Sequence, residues 1–280
     1  MGTVVGSLVI CPTPIGNLED ITLRAISALR DADLIACEDT RHSGVLLKRL
    51  GIDGRTISYN EQNERRRASE LVQKMLDGAR VALVSDAGMP LVSDPGYSLV
   101  QSAIAAGLRI EVLPGPSAAI TGLVASGLPS DQWRFAGFLP RKATELDALF
   151  NGLTETLVAF ESPKRVAASL TRLAAIDPQR PVAVCRELTK MYEEIVRGTA
   201  GELAERYGAE PPRGEIVLVV GASPAANLVD GREQAARAAV ERLVASGARR
   251  REAARVVAEL TGLRANALYG SAEDDAAEND

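Results

Sequence analysis

Short apolar runs alternate with helical patterns through the first 128 residues, and this alternation is the strongest constraint on how the chain can fold. Five such runs are followed by a loop and then by apolar residues at helical spacing; they lie at residues 7–11, 34–37, 55–59, 81–84 and 109–113. Strands separated by helices pair in parallel, and their carboxyl ends meet at one edge of the sheet. We therefore expect a parallel, doubly wound α/β domain over residues 1–128.

The pattern changes after Gly127. Residues 129–222 contain further apolar runs but fewer helical stretches, which predicts a second α/β domain with a mixed sheet. Residues 223–272 indicate a helical hairpin, broken at Gly247, with an apolar stripe at Ala235, Ala239, Leu243 and Val244. The last segment, 273–280, is acidic and poor in apolar residues, so we expect it to be disordered. The predicted architecture is two α/β domains with a small helical appendage.

Composition limits the functional classes. The net charge of −5 argues against a protein that binds nucleic acid over its whole surface, and 4% aromatic residues leave few platforms for stacking bases. Three distant cysteines in apolar runs predict buried thiols in a reducing compartment, and a single histidine excludes a histidine-rich metal site. Without a leader or a membrane-spanning stretch, we expect a cytoplasmic protein with no membrane partner and no metal.

The loop after the fourth strand is the first candidate binding site. Residues 82–96 read ALVSDAGMPLVSDPG, so a buried strand changes abruptly into two turns that carry Asp86, Gly88 and Asp94. In open α/β sheets, ligands bind beyond the carboxyl ends of the strands, where glycine lets backbone amides approach and a carboxylate takes a hydroxyl or amino group. The alternative is that both aspartates only cap turns.

Three more loops end at the same predicted edge. The first is a rigid proline loop containing Pro14, Ile15 and Gly16, and the last is a PGPSA turn in which Ser117 starts a helix with free N–H groups. The second strand is followed by the five polar residues EDTRH, 38–42. Acids beside Arg and His could hold a hydroxyl, a phosphate or each other; alternatively, Asp39 or Thr40 caps the next helix.

Several motifs together resemble one family. In order, between about Leu8 and Gly221, they are CPTPIGNLEDIT, EDTRH, LVSDAGMPLVSDPGY, LPGPSAAITGL, GLPSDQWRFAGFLPRK, FESPKR and RELTKMYE. They are similar to the bacterial small-subunit ribosomal RNA cytidine 2′-O-methyltransferases of the tetrapyrrole methylase superfamily. The resemblance implies a methyl transfer from S-adenosylmethionine to the ribose of a decoding-centre cytidine in 16S rRNA, within the small ribosomal subunit. It also implies a cleft-bound, bent cofactor and a homodimer.

The resemblance and the loops together give a set of cofactor-binding candidates: Pro14, Ile15, Gly16, Asp86, Gly88, Met89, Asp94, Ser117, Ala118, Phe160, Glu161, Cys185 and Glu215. The chain departs from the family at three places. The usual basic residue after the PRK run is absent, with Glu145 and Asp147 in that region. Met89 stands where relatives often carry Thr, and Asn60 and Gln62 are amides where relatives often carry His. A histidine base in that stretch is therefore not available.

Methyl transfer to a ribose hydroxyl needs an in-line arrangement and a group that takes the hydroxyl proton or stabilises the developing charge. Our catalytic candidates are Glu38, Asp39, Arg41, Glu187 and Lys190, and the choice of base stays open. The candidates for RNA contact are Arg24, His42, Glu61, Arg141, Lys142, Lys164, Arg165 and Arg186. Two other functions stay open: methylation of tetrapyrrole carbons, and a non-enzymatic sensor of adenosine nucleotides with a DNA-binding hairpin.

Overall fold

The computed structural model describes residues 6–223 and 225–268. Its first sheet is fully parallel, with the strand order β3-β2-β4-β1-β5. The strands are β1 (Ser7–Ile10), β2 (Leu34–Cys37), β3 (Thr56–Ser58), β4 (Arg80–Val84) and β5 (Arg109–Val112). The predicted parallel α/β sheet is confirmed. Because β1 and β4 are neighbours at its centre, the loops that follow them lie side by side.

Helices cover both faces of this sheet, and they are α1 (Leu23–Arg30), α2 (Thr40–Arg49), α3 (Glu64–Leu76) and α4 (Tyr97–Ala105). Successive side chains of a strand point to opposite faces. Leu8 accordingly joins the core under α3 and α4, whereas Val9 joins the core under α1 and α2. Burial on both faces explains why the central strands are apolar throughout rather than alternating.

The second sheet is mixed, as predicted, with the order β6-β7-β10-β8-β9. Its strands are β6 (Trp133–Phe138), β7 (Thr156–Glu161), β8 (Pro181–Arg186), β9 (Glu194–Thr199) and β10 (Ile216–Val220). Only β6 and β7 pair in parallel. One face is covered by α6 (Ala143–Asn151), α7 (Val166–Ile176) and α8 (Ala200–Ala209), whose apolar side chains form a single core with the strands.

The other face of the second sheet is covered by α5 (Ala118–Ser126), a helix that precedes the predicted boundary at residue 128. Ala119 and Leu123 pack on strand residues such as Val217, and Arg197 of β9 donates hydrogen bonds to the carbonyls of Ala125 and Ser126. Helix α5 therefore links the two sheets in two ways, because it follows the first sheet along the chain and packs against the second. The domain limits 1–128, 129–222 and 223–272 stay predictions.

The carboxyl-terminal part is a hairpin of α9 (Ala225–Ala245) and α10 (Arg250–Thr261), followed by a 3-10 turn at Ala265–Leu268. The predicted stripe is correct in part: Ala239 and Val244 pack against the hairpin core, but Ala235 and Leu243 are exposed, and Ala236 and Val240 are buried in their place. The run AARAAVERLV has apolar residues on more than one side of α9, so the packing against α10 determines which side is buried. The predicted disordered segment, 273–280, lies outside the described residues. No helix within the described ranges has the length and apolarity to cross a bilayer.

Candidate functional site

A cavity of about 310 Å³ lies between the two sheets, and we call it the inter-sheet cavity. Ten of the predicted cofactor residues line it: Ile15, Gly88, Met89, Asp94, Ser117, Ala118, Phe160, Glu161, Cys185 and Glu215. They come from loops after β1, β4 and β5 and from the ends of three strands of the second sheet. The carboxyl edge of the parallel sheet is therefore closed by the second sheet, which leaves a pocket of the size typical for small ligands.

A short backbone bridge fixes the floor of this cavity. The N–H of Thr13 donates to the carbonyl of Gly88 over 2.9 Å, and the N–H of Gly88 donates back over 3.0 Å. Gly88 has a φ of +79°, and a Cβ there would lie 3.3 Å from Cγ2 of Ile15. A side chain at this position would be strained and would press on the cavity wall. Gly88 therefore joins the proline loop to the loop after β4.

Sequence reasoning missed ten residues that line the same cavity: Ala87, Val92, Ser93, Phe138, Ser162, Pro163, Leu188, Gly214, Ile216 and Val217. Most of them come from the second sheet and its loops. Phe138 is 62% exposed, and its ring meets that of Phe160 edge to face, with centroids 5.6 Å apart. The apolar lining suits a flat heterocycle. Several of these residues lie within the motifs quoted above, but the motifs do not show which of their side chains face the cavity.

Two residues that line the cavity, Glu161 and Cys185, have side chains that are engaged in hydrogen bonds or buried. The buried carboxylate of Glu161 accepts hydrogen bonds from the N–H of Ser162 over 2.7 Å and from Oγ of Ser169 over 2.6 Å, and it pairs with Arg165. Burial raises the pKa of the Cys185 thiol to about 11, so it stays protonated at neutral pH. Glu161 and Cys185 therefore shape the wall.

A second cavity, of about 560 Å³, is strongly acidic, and we call it the acidic cavity. It is lined by Glu38, Asp39, Thr40, Arg41, Ser58, Asn60, Glu61, Gln62 and Asp86. Asp86 lies here and not in the inter-sheet cavity, and its Oδ1 accepts the N–H of Asp39 over 3.3 Å. Since Ala87 lines the inter-sheet cavity, the two cavities meet at consecutive residues of one loop.

The acids of these cavities differ in proton affinity. Partial burial, followed by the charges of Asp86, Glu61 and Asp39, raises the pKa of Glu38. Burial and the nearby charges of Glu38 and Asp86 raise the pKa of Asp94 to about 6, against the effect of a hydrogen bond to Ser85. Carboxylates crowded in this way resist ionisation and attract a cation.

Asp39 has the opposite environment. It caps α2 by accepting the N–H of Arg41 over 2.8 Å, and its side chain also pairs with the Arg41 guanidinium. These hydrogen bonds lower the pKa of Asp39 to about 2. The capping alternative for Asp39 is therefore correct, and a carboxylate of such low basicity is a poor acceptor for a hydroxyl proton.

Glu187 and Lys190 belong to a bridge at the mouth of the inter-sheet cavity. Nζ of Lys190 lies 2.9 Å from Oε1 of Glu187 and 2.9 Å from Oε2 of Glu215. Glu187 has a φ of +51°, and its Oε1 also accepts the N–H of Glu215. Partial burial opposes the charge on Lys190, but its hydrogen bonds to Glu187 and Glu215 outweigh this effect and raise its pKa. The amine is therefore a charged structural link rather than a base.

The proline loop rests on the same bridge. A Cβ at Gly16 would lie 2.4 Å from Cγ of Lys190 and 2.7 Å from Oγ1 of Thr189, so only glycine allows this approach. Gly16 and Pro14 line neither cavity, whereas Ile15, between them, lines the inter-sheet cavity. The Lys190 bridge thus holds together three loops that wall the cavity, around Ile15, Leu188 and Glu215.

The residues predicted to contact RNA fall into three groups. Four have partners within the fold: Arg24 pairs with Glu111, Lys142 with Glu145 and Arg186 with Glu194, and Arg165 donates to the carbonyls of Leu139 and Pro140. Glu61 lines the acidic cavity. The exposed His42, Arg141 and Lys164 have no ion pair with any described residue. Within the described ranges, no cluster of His, Cys, Asp and Glu is arranged to hold a metal ion.

Comparison with known proteins places the chain and its fold in one class. The family Tetrapyrrole (Corrin/Porphyrin) Methylases matches residues 7–204. Uroporphyrin-III-C-methyltransferase from Thermus thermophilus superposes with a TM-score of 0.57 at 24% identity, covering 77% of this chain and 94% of that one. Diphthine synthase superposes with a TM-score of 0.60 at 15% identity, covering 78% and 90%. The chain belongs to the tetrapyrrole methylase family and is a methyltransferase.

The relatives narrow this class further. Proteins named ribosomal RNA small subunit methyltransferase I are 46% identical in Micromonospora olivasterospora, 47% in Mesorhizobium japonicum and 44% in Escherichia coli O157:H7. Each alignment covers 94% of this chain, and 85%, 90% and 93% of the respective relative. Within the family, the chain groups with these ribosomal RNA small subunit methyltransferases I. The non-enzymatic alternative is therefore wrong.

Proposed function

We propose that this protein transfers a methyl group from S-adenosylmethionine to the ribose 2′-hydroxyl of a decoding-centre cytidine in 16S rRNA. The observation that carries the proposal is that Asp86 lines the acidic cavity and the next residue, Ala87, lines the inter-sheet cavity, so the loop after β4 borders both a small-ligand pocket and an acidic, open one. The names of the relatives support a small-subunit RNA substrate.

The inter-sheet cavity fits S-adenosylmethionine, which would supply an electrophilic methyl group. Its apolar walls suit adenine, and the side chains of Asp94 and Glu215 offer acceptors for amino and hydroxyl groups. Ser117 is the N-cap of α5, and its side chain makes no capping hydrogen bond, so the first N–H groups of the helix are available to a ligand. A solved uroporphyrin-III C-methyltransferase of this fold is itself complexed with S-adenyl homocysteine.

On the acceptor side, Glu38 is the residue best suited to take the proton. The 2′-oxygen forms a bond to the methyl carbon while the carbon–sulfur bond breaks, and the hydroxyl proton passes to the Glu38 carboxylate. Its raised pKa makes Glu38 a stronger base than Asp39. Asp39 and Arg41 hold the start of α2 and so position Glu38.

We also propose that the enzyme acts on the small subunit in the cytoplasm as a homodimer. Arg141 and Lys164 are exposed cations and His42 is exposed near the acidic residues 38–39, so all three suit contacts with phosphates or ribose oxygens. The side chains of Val112, Ile120 and Val124 are large, apolar and exposed, which suits a contact with a second copy. Sedimentation at micromolar concentration that gives the mass of one chain would contradict the dimer.

The test of the reaction is to map ribose methylation in small-subunit RNA from cells with and without this protein. We expect one cytidine to lose a methyl group in the deletion strain and to regain it when purified enzyme and S-adenosylmethionine are added to the subunits. A 2′-O-methyl group blocks alkaline cleavage at that nucleotide, which distinguishes it from a base methyl. Methylation of a porphyrinogen, with none on RNA, would favour the tetrapyrrole alternative instead.

The Lys190 bridge leads to a prediction about cofactor affinity. Lys190→Met keeps the aliphatic stem near Gly16 but leaves Glu187 and Glu215 without their shared cation. Because a hydrogen bond to a charged group contributes about 1.5–3 kcal/mol, we expect the Kd for S-adenosylmethionine to rise about tenfold or more in calorimetry. The matched control is Lys142→Met, which breaks only the surface pair with Glu145. Equal affinities of both variants and the parent would rule out the bridge as a support of the cavity.

A further inference from the structure

The helical hairpin of α9 and α10 is much more basic than the rest of the chain. Residues 225–268 contain eight arginines against one aspartate and four glutamates, without lysine, whereas the whole chain has a net charge of −5. Its core is small and formed by its own residues, among them Ala236, Val240, Ala253, Ala254 and Val257. The hairpin therefore has a fold of its own and a charge opposite to that of the protein that carries it.

Most of this charge is free of ion pairs. Arg250 binds Glu241 with both guanidinium nitrogens, at 2.6 and 2.9 Å. Five further arginines are exposed and have no ion-pair partner among the described residues: Arg242, Arg249, Arg251, Arg255 and Arg264. Exposed guanidinium groups without internal partners stabilise the hairpin little, and each is available to an external anion.

The arrangement on α10 concentrates these groups. Ala253, Ala254 and Val257 turn one face of the helix toward α9. Arg251 and Arg255 are four residues apart, so their side chains emerge together on an outer side, one helical turn from each other. Arg249 stands directly before the helix as its N-cap. Three guanidinium groups thus occupy two turns of helix.

We propose that the arginine cluster at the start of α10, Arg249, Arg251 and Arg255, is a second RNA-binding site that holds the phosphate backbone of the small-subunit RNA. The inference rests on the proposed RNA substrate. Planar guanidinium groups match phosphate oxygens in bidentate geometry. Residues 235–268 contain no aromatic side chain, so the contact is made with charge and not by stacking on bases. This site contributes binding affinity for the small ribosomal subunit, whereas the two cavities carry out the proposed methyl transfer.

The experiment compares the full-length parent with the double variant Arg251→Gln/Arg255→Gln. We expect KM for small ribosomal subunits to rise about tenfold, with kcat and the Kd for S-adenosylmethionine unchanged. The salt dependence is the specific signature, because each lost phosphate contact lowers the slope of log affinity against log salt by about 0.7–0.9. The slope should therefore fall by about 1.5. The matched control, Arg49→Gln/Arg55→Gln, removes the same charge from two exposed arginines at the far end of α2 and before β3.

Three results would overturn the proposal. Unchanged KM and salt slope would show that the arginines make no contact with RNA. An equal effect of the control variant would show that only the net charge of the protein matters, and not the position of these arginines. A loss of kcat at unchanged KM would make the hairpin a support of the catalytic site. Filter binding of ribosomal subunits without methyl donor measures the contact even if no methylated cytidine is found. Failure of the RNA-binding proposal can therefore be distinguished from failure of the proposed reaction. Tighter binding to duplex DNA than to subunit RNA would favour a DNA-binding module.

Discussion

Replacing Ala118 with Phe is expected to remove measurable binding of S-adenosylmethionine. Ala118 is the first residue of α5 and lines the inter-sheet cavity, whose volume is only about 310 Å³. A phenyl ring placed there occupies the space of the ligand, and the close-packed walls on the second sheet do not move away at low cost. We expect the Kd in calorimetry to rise at least 100-fold, which is about 2.7 kcal/mol or more.

The control for this substitution lies on α4. Ile104 is 57% exposed, so Ile104→Phe adds a ring to the surface of α4 without reaching the cavity. Both variants should retain the parent's circular dichroism and melt within a few degrees of it. If Ala118→Phe bound the cofactor with the parent's Kd, the inter-sheet cavity would not be the cofactor site.

Glu38→Gln is expected to lower kcat by about 10²–10⁴-fold, the usual contribution of a general base. The amide keeps the shape of the side chain but cannot accept a proton, and the Kd for S-adenosylmethionine should not change. In the parent, only the carboxylate accepts a proton, so kcat/KM should rise with pH through the pKa of Glu38. That pKa lies above its ordinary value because of burial and the acids Asp86 and Glu61. The variant should lack this rise.

Single-turnover assays with small subunits between pH 5 and pH 9 measure both effects. Glu205→Gln is the matched control, because Glu205 is an exposed residue of α8 and the same atoms are exchanged there. Its pH profile should coincide with that of the parent. A Glu38→Gln enzyme with the parent's kcat, or one that keeps the acid limb of the profile, would assign the proton transfer to another group.

The parallel sheet could be predicted because local patterns encode it. Buried strands such as 81–84 are apolar on both faces, and turn residues such as Gly88 mark their ends. The walls that come from the second sheet could be predicted only in part. The family resemblance gave Phe160, Glu161, Cys185 and Glu215, but Phe138, Leu188 and Gly214 were missed because they meet through packing across long sequence separations. Neither short motifs nor periodicity carry that information.

The sequence also did not show in which direction a side chain points, or where the backbone of one loop closely approaches a side chain of another. Asp86 follows its strand as a cofactor ligand would, but it lines the acidic cavity. Gly16 is adjacent to a lining residue, yet its role is to make room for the stem of Lys190. In α9, alanines surround the helix so evenly that only the partner helix decides which of them are buried.

The crowded carboxyl groups around the loop after β4 have a consequence for turnover. The charges of Glu38 and Asp86 raise the pKa of Asp94, and the charge of Asp86 also raises the pKa of Glu38, so a positive charge that binds nearby is electrostatically favoured. The methyl donor brings that charge on its sulfur, and the spent molecule, a neutral thioether, does not. We expect the same acids that draw in the donor to lose their hold as soon as the methyl group has left, which favours exchange of spent for fresh donor and limits inhibition by the product.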